Sequence, residues 1–360
     1  MSSQQSTADV MAAALADAGI RSMFAYPGDP IIDLMEFSRR RGIDVVLARR
    51  EGTAAFMAEA AAMVSGGIGA CLSTLGPGST ALVNGVAAAT LDRVPMIAIS
   101  GQIETARQGV FTHQVVNHEA LFTPVTKWAG RVEANAAAIT MRKALRVATA
   151  ERPGAVHLTC AADTFKATAT DNHIVTPPTR YAAEGLQVFG TAEPRRVLAA
   201  AKRPLLLVGI GAVRCEATAA ILRLAATAGM PIVVTGMAKG IVPEDSEWFA
   251  GVLDMACNQS VWEFVRSSDL ILAAGFDPVE LIKPWDVATG VMHIGTIPNV
   301  DQVYASEVEV VGHVGAILDW LADDYGGQPR WTAAEVAAYR ARLREAYYAG
   351  RVPGRLNPTD

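Results

Sequence analysis

Four short runs near the start of the sequence have residue types that could do chemistry. In Arg49-Arg50-Glu51-Gly52 a carboxylate follows an apolar run and opens a helical one. A helix N-terminus favours the ionised form, so Glu51 could accept or hold a ligand proton. Thr74-Leu75-Gly76-Pro77-Gly78-Ser79-Thr80 also joins a strand-like run to a helical one. Its glycines would let a ligand approach the backbone, and its amides could line a pocket. Tyr26-Pro27-Gly28-Asp29-Pro30 and Gly101-Gln102 follow two further strand-like runs. Each run alone has a bland explanation: Glu51 as a first-turn glutamate, Gly-Pro-Gly as a turn. Together they are better evidence, because loops at the carboxyl ends of parallel strands are where open α/β sheets hold ligands.

The elements that must position these loops follow from periodicity. Near-continuous apolar runs at 23–26, 45–48, 68–74, 94–100 and 155–160 read as strands buried on both faces. Alanine-rich stretches at 53–64 and 81–91 read as helices between them. Ser6, three residues before Asp9, starts an earlier helix with Met11, Ala14, Leu15 and Ala18 on one face, and Gly19 stops it. A second block alternates strand-like runs at 204–209, 231–235, 269–274, 291–295 and 308–311 with helical ones at 217–228 and 314–321. Asp171, Pro177, Pro178 and Gly185 interrupt every period between the blocks. The expectation is α/β: two doubly wound, mainly parallel-sheet domains at 1–166 and 191–325, with a linker at 167–190. Residues 326–360 should form a C-terminal helix and tail. There Thr332 and Glu335 have capping-box spacing, and Val336, Tyr339, Leu343 and Tyr347 share a face that should dock.

Composition excludes several classes. At 51% hydrophobic and 19% charged, the 360 residues have the make-up of packed domains, not extended disorder. The formal charge of -5 argues against a nucleic-acid surface. No apolar run reaches the roughly twenty residues a membrane span needs, and the start MSSQQSTADV has no signal-peptide character. Cys71, Cys160, Cys215 and Cys257 are isolated and read as reduced thiols. The chain is expected to be soluble and cytoplasmic.

In order, the stretches YPGDP, ARREGTAAFMAEAAAMVSGG, LSTLGPGSTALVNGVAAATLDRVPMIAISGQ and FTHQVVNHEALFTPVTKW resemble the pyrimidine-binding domain of thiamine-diphosphate enzymes of the acetolactate-synthase type. The second block resembles their Rossmann-like central domain, with VEVVGHVGAILDWL as its close, and GFDPVELIKPW is similar to the matching stretch of catabolic acetolactate synthases. The resemblance implies that Glu51 hydrogen-bonds the aminopyrimidine of thiamine diphosphate and favours its imino tautomer. It implies that Gly76, Pro77 and Gly78 border the pyrimidine pocket, that Pro27 and Gly28 line the approach to the reactive carbon, and that Gln114 faces the active centre. His113 and Gln102 are weaker candidates for substrate contact. The implied chemistry is decarboxylation of a 2-oxo acid and ligation of the product to an acceptor, with simple decarboxylation or cleavage of a 2-hydroxyacyl thioester as variants.

The sequence also departs from that family. Ala81 stands where acetolactate synthases have asparagine, Val115 replaces a glutamate, and His113 replaces an aromatic residue. No Gly-Asp-Gly motif of a diphosphate-binding domain is found. The resemblance therefore implies a split enzyme: a hetero-oligomer with a dimeric or tetrameric core, in which a separate Gly-Asp-Gly subunit holds the diphosphate and Mg²⁺. A non-catalytic scaffold, or a fragment of a longer enzyme, are the alternatives. Val208-Gly209-Ile210-Gly211-Ala212 imitates a dinucleotide fingerprint but has Arg214 where the third glycine belongs. Residues 251–257 lack the Met-His-Gly of flavin-binding members, so no FAD is expected. His113 and His118 lack the spacing of a helical metal pair, and no metal ligand is assigned. Asp277 and Glu280 could pass for paired carboxylates, but the resemblance gives them a structural place after a strand.

Overall fold

In a computed structural model the chain divides into two compact units, Met1–Arg180 and Tyr181–Asp360. The structure describes residues 5–171, 192–323 and 325–357.

Unit one has strands β1 (Ser22–Ala25), β2 (Asp44–Leu47), β3 (Gly69–Ser73), β4 (Met96–Gln102), β5 (Trp128–Arg131) and β6 (Ala155–Ala161). They form one sheet in the order β2-β1-β3-β4-β6-β5, with every pair parallel. The helices are α1 (Thr7–Asp17), α2 (Ile32–Arg40), α3 (Glu51–Ser65), α4 (Pro77–Leu91), α5 (His118–Phe122), α6 (Ala137–Thr149) and α7 (Ala162–Lys166). One apolar cluster, including Met11, Leu15, Ile97, Met141 and Phe165, covers one face of the sheet. Another, including Ala55, Leu82, Val86, Met96 and Phe122, covers the opposite face. Burial on both sides explains why the central strands lack polar alternation. Ser6 caps α1 by accepting from the Asp9 amide, as its spacing predicts. β5 and the polar-faced α2 went unread in the sequence. β5 is a four-residue edge strand holding Gly130 and Arg131, so no apolar run marks it.

Unit two has β7 (Pro204–Val208), β8 (Ile232–Val234), β9 (Phe249–Val252), β10 (Leu270–Ala274), β11 (Gly290–Gly295) and β12 (Ser306–Val311), in the order β12-β11-β10-β7-β8-β9 and again parallel. Renumbered within the unit this is 3-2-1-4-5-6 across the sheet, the Rossmann order. Its helices are α8 (Glu193–Ala200), α9 (Ile210–Arg214), α10 (Thr218–Ala228), α11 (Asn258–Arg266), α12 (Val314–Ala322) and α13 (Ala333–Tyr348). The Thr332–Glu335 capping box forms at the start of α13. Val336 and Tyr339 of that helix are buried in the cluster around Trp262, Phe264 and Trp331, with Leu343 packed at its edge. Tyr347, expected on the docked face, is instead 39% exposed, because the helix runs past the cluster.

Of the expected linker, residues 172–190 lie outside the described residues. Residues 167–171 are tied to unit one: the Thr7 amide donates to the Ala167 carbonyl, the Thr170 amide to that of Ala134, and Asp171 accepts from the Ile139 amide. No helix among the described residues is long and apolar enough to cross a membrane.

Candidate functional site

In unit one the chain winds outward in opposite directions from the neighbouring strands β1 and β3. The crevice beyond their carboxyl ends is where an open parallel sheet receives a ligand. The loop after β1 carries Pro27 and Gly28, and the loop after β3 carries Thr74 and the Gly76-Pro77-Gly78 turn. The next strand out, β2, leads into α3, whose first residue is Glu51.

Thr74 is the hub of this crevice. A Cβ added to Gly28 would run into the Thr74 side chain, and one added to Gly78 would stand 2.7 Å from Thr74 Cγ2 and 2.9 Å from Glu51 Oε1. Glu51 thus lies against the Gly-Pro-Gly turn although 25 residues separate it from Gly76 (76 minus 51). Gly76 has φ +53°, a backbone state that L side chains rarely adopt, and the backbone of Gln114 packs on it. Glu51 is half-buried at the positive end of a fifteen-residue helix, and its carboxylate forms no hydrogen bond or ion pair among the described residues. Its oxygens can accept from, or hold a proton for, a ligand in the crevice.

Gly28, Gly78 and Glu51 therefore meet around Thr74, Gln114 packs on Gly76 of the same turn, and Pro27 is exposed beside Gly28. His113 is exposed on the same segment as Gln114, its ring 6.1 Å from that of Phe111. Gln102 differs from its expected place. Gly101 and Gln102 are the last residues of β4 rather than a loop, because pairing with β6 continues through Gln102↔Ala161. The Gln102 carboxamide is buried; it donates to the Val116 carbonyl at 3.2 Å and accepts from the Ile103 amide at 2.9 Å. Gln102 thereby tethers both ends of the segment that carries His113 and Gln114.

Sequence reasoning missed a buried polar cluster behind the turn: Ser73, Ser79, Ser100 and His157. Ser100 Oγ lies 2.9 Å from Ser73 Oγ, 2.8 Å from Ser79 Oγ and 2.8 Å from His157 Nε2. His157 stacks on Phe122 with ring centroids 3.6 Å apart. Burial, and His118 nearby, hold its imidazole well below the usual range, so it is neutral. A histidine inside the apolar run 155–160 was the available signal.

Unit two has the corresponding crevice between β7 and β10, and there the chain fills it. Glu280 accepts from the Ile210 amide at 2.9 Å, the Asp277 amide at 2.8 Å and the Thr235 hydroxyl. Burial pushes its carboxyl up to about 7, against the pull of these donors. Gly211 donates to the Gly275 carbonyl at 2.8 Å, so the glycines resembling a fingerprint serve close packing of two loops. Asp277 and Glu280 form a capping box, in keeping with a structural place after β10.

Comparison with known proteins agrees with both units. The family model described as "Thiamine pyrophosphate enzyme, N-terminal TPP binding domain" matches residues 5–121, and that described as "Thiamine pyrophosphate enzyme, central domain" matches residues 193–321. The chain belongs to the thiamine pyrophosphate enzymes. Within that family it is similar to the catabolic acetolactate synthase of Raoultella terrigena, 31% identical over 346 residues, which cover 94% of this chain and 62% of that enzyme. It is similar also to the acetolactate synthase of Bacillus subtilis, 28% identical over 88% of this chain and 56% of the relative. A probable acetolactate synthase large subunit of Methanocaldococcus jannaschii is 31% identical over 74% of this chain and 46% of the relative. The chain thus spans roughly half to six-tenths of these relatives' length. The β1/β3 crevice lies in the stretch matched to the cofactor-binding model, and its residues fit a polar ring: a carboxylate with no hydrogen-bond partner among the described residues stands against a turn whose glycines allow close packing on Thr74 and Gln114.

Proposed function

We propose that this chain is the pyrimidine-binding subunit of an acetolactate-synthase-like enzyme, which decarboxylates a 2-oxo acid and ligates the product to an acceptor carbonyl. The observation that carries the reading is the Glu51 carboxylate, without a hydrogen bond or ion pair among the described residues and resting against Gly78 in the switch-point crevice. Glu51 hydrogen-bonds the aminopyrimidine of thiamine diphosphate and holds the proton whose position sets the ring's tautomer. Gly76, Pro77 and Gly78 form the wall on which that ring lies. Pro27 and Gly28 flank the path to the reacting carbon, and Gln114 and His113, exposed beside the turn, meet the substrate. Thiamine diphosphate, when bound, supplies the electron sink for cleavage next to a carbonyl; the protein supplies orientation and electrostatics.

A separate subunit with a Gly-Asp-Gly domain holds the diphosphate and Mg²⁺ in this reading. Phe56, Met63 and Val64 of α3 and Leu91 of α4 are exposed apolar residues on the two helices that begin at Glu51 and at the turn, which supports a protein partner on that side. No flavin is assigned to unit two, whose crevice Glu280 fills.

Calorimetric titration of thiamine diphosphate with Mg²⁺ tests the reading, first into the purified chain and then into its mixture with a Gly-Asp-Gly subunit. Binding and 2-oxo acid turnover in the mixture, and neither in the chain alone, are the expected results. Turnover by the chain alone disproves the split site. No binding in either sample removes the cofactor role from Glu51.

A further inference from the structure

The buried cluster behind the turn has a direction, and its hydrogens can be counted. The Ser73 hydroxyl donates to the Thr74 carbonyl at 3.1 Å, and the Ser79 hydroxyl donates to Ser100 Oγ. Ser73 has only one hydrogen, so in its contact with Ser100 it accepts and Ser100 donates. The Ser100 hydrogen is then spent, and His157 Nε2 must bring its own. That fixes the imidazole as the Nε2–H tautomer and leaves Nδ1 a bare acceptor, which matches the absence of any hydrogen-bond partner for buried Nδ1. The alternative tautomer would bury an unpaired N–H. Every hydrogen in the cluster then has one destination, and the sequence of donors ends on the carbonyl of Thr74.

Ser73 and Ser79 stand immediately before and after the stretch 74–78 that forms the turn. Ser100 bonds both, so one hydroxyl from β4 fastens the two ends of the turn, and His157 from β6 fastens Ser100. We propose that Ser100 and His157 are positioning residues: they clamp the Thr74–Gly78 turn so that Thr74 and Gly78 hold their places against Glu51. All four side chains are fully buried, so water cannot replace a lost bond. The Phe122 ring, stacked on the imidazole, fixes the plane from which Nε2–H points. The assignment rests on the turn being the wall of the pyrimidine site.

Amide hydrogen exchange on the full chain tests the clamp without any cofactor. In Ser100→Ala and His157→Phe, exchange at residues 74–80 is expected to rise about tenfold while α10 in unit two is unchanged. In His157→Gln, whose side-chain N–H can replace Nε2–H, exchange should return toward the wild-type rate. Uniform acceleration across unit one, or equal acceleration in the Phe and Gln variants, overturns the clamp. Should the Ala and Phe variants fail to fold, nitrogen NMR of the wild-type histidines decides. A neutral Nε2–H imidazole at His157 between about pH 5 and about pH 8 supports the clamp, and an Nδ1–H tautomer or an imidazolium in that range overturns it. With the partner subunit present, the clamp variants should raise KM for thiamine diphosphate about tenfold while kcat changes less. Localised exchange with an unmoved KM would keep the clamp but refute its role at the pyrimidine site, and so separates the two claims.

Discussion

The two units use one architecture in opposite ways at the same place. Each has six parallel strands and a crevice where strand order reverses, between β1 and β3 in one and between β7 and β10 in the other. In unit one the crevice meets a carboxylate with no partner among the described residues, set against a turn whose glycines let it pack closely on Thr74 and Gln114. In unit two the chain returns its own carboxylate, Glu280, to the donors of three loops. Both carboxylates lie at the start of a helix, Glu51 covalently and Glu280 through space. What separates the two crevices is whether the fold itself satisfies the polar groups there. Loops satisfied from within pack rigidly; a carboxylate left unpaired stays available to a ligand.

The largest effect expected from this contrast is catalytic. Glu51→Gln should lower turnover of the assembled enzyme by about a hundredfold or more, with stability within about 0.5 kcal/mol of wild type. A variant that turns over at the wild-type rate would make the two crevices equivalent and the comparison empty. The glycines should divide differently. Gly275 has φ +63°, and a Cβ there would strike the backbone of α9, so Gly275→Ala should cost about 3 kcal/mol or more in denaturant unfolding. At Gly78 the added methyl meets the ends of the Thr74 and Glu51 side chains, so Gly78→Ala should cost about 1 kcal/mol but abolish cofactor binding by the mixture. A stability loss at Gly78 as large as at Gly275 would show that the turn is structural.

Glu280 gives the comparison a pH signature. Its carboxyl is raised from 4.5 to about 7 in the folded chain, so the folded state holds the extra proton between those values. Its contribution to stability is therefore full below about 4.5, declines as pH rises through the window, and levels off above about 7. Glu280→Gln, neutral throughout, removes that decline. The difference between wild type and variant, followed by thermal unfolding from acid to neutral pH, should change by on the order of 3 kcal/mol. A flat difference would mean that the three donors keep Glu280 ionised throughout. The smallest effect is at Thr235. Thr235→Val removes one donor to Glu280, and should cost about 1 kcal/mol and move the same window to higher pH.

The Glu51 and Gly-Pro-Gly runs, the alternation of strands and helices, the Ser6 and Thr332 caps, and the two-block organisation could all be read from local order. These depend on hydrophobic period, capping chemistry and residues adjacent in the chain. The edge strands β5 and β9 could not, because an edge needs neither a long apolar run nor burial on both faces. Gln102 looked like a loop residue because Gly101 precedes it, yet pairing with β6 carries the strand through both. Glu280 was visible as a carboxylate after a strand, but its three donors come from residues 210, 235 and 277, and no sequence spacing joins them. The Ser73–Ser79–Ser100–His157 cluster is of the same kind. Its members lie on β3, α4, β4 and β6, and only the parallel register that sets Ser73 beside Ser100 makes them neighbours. By itself the sequence determined which elements form and which of them bear the candidate residues, because both follow from local composition and period. Only the tertiary structure decided which crevice is open, which is filled and what holds the turn in place, because those depend on polar groups meeting across distances that chain order does not encode.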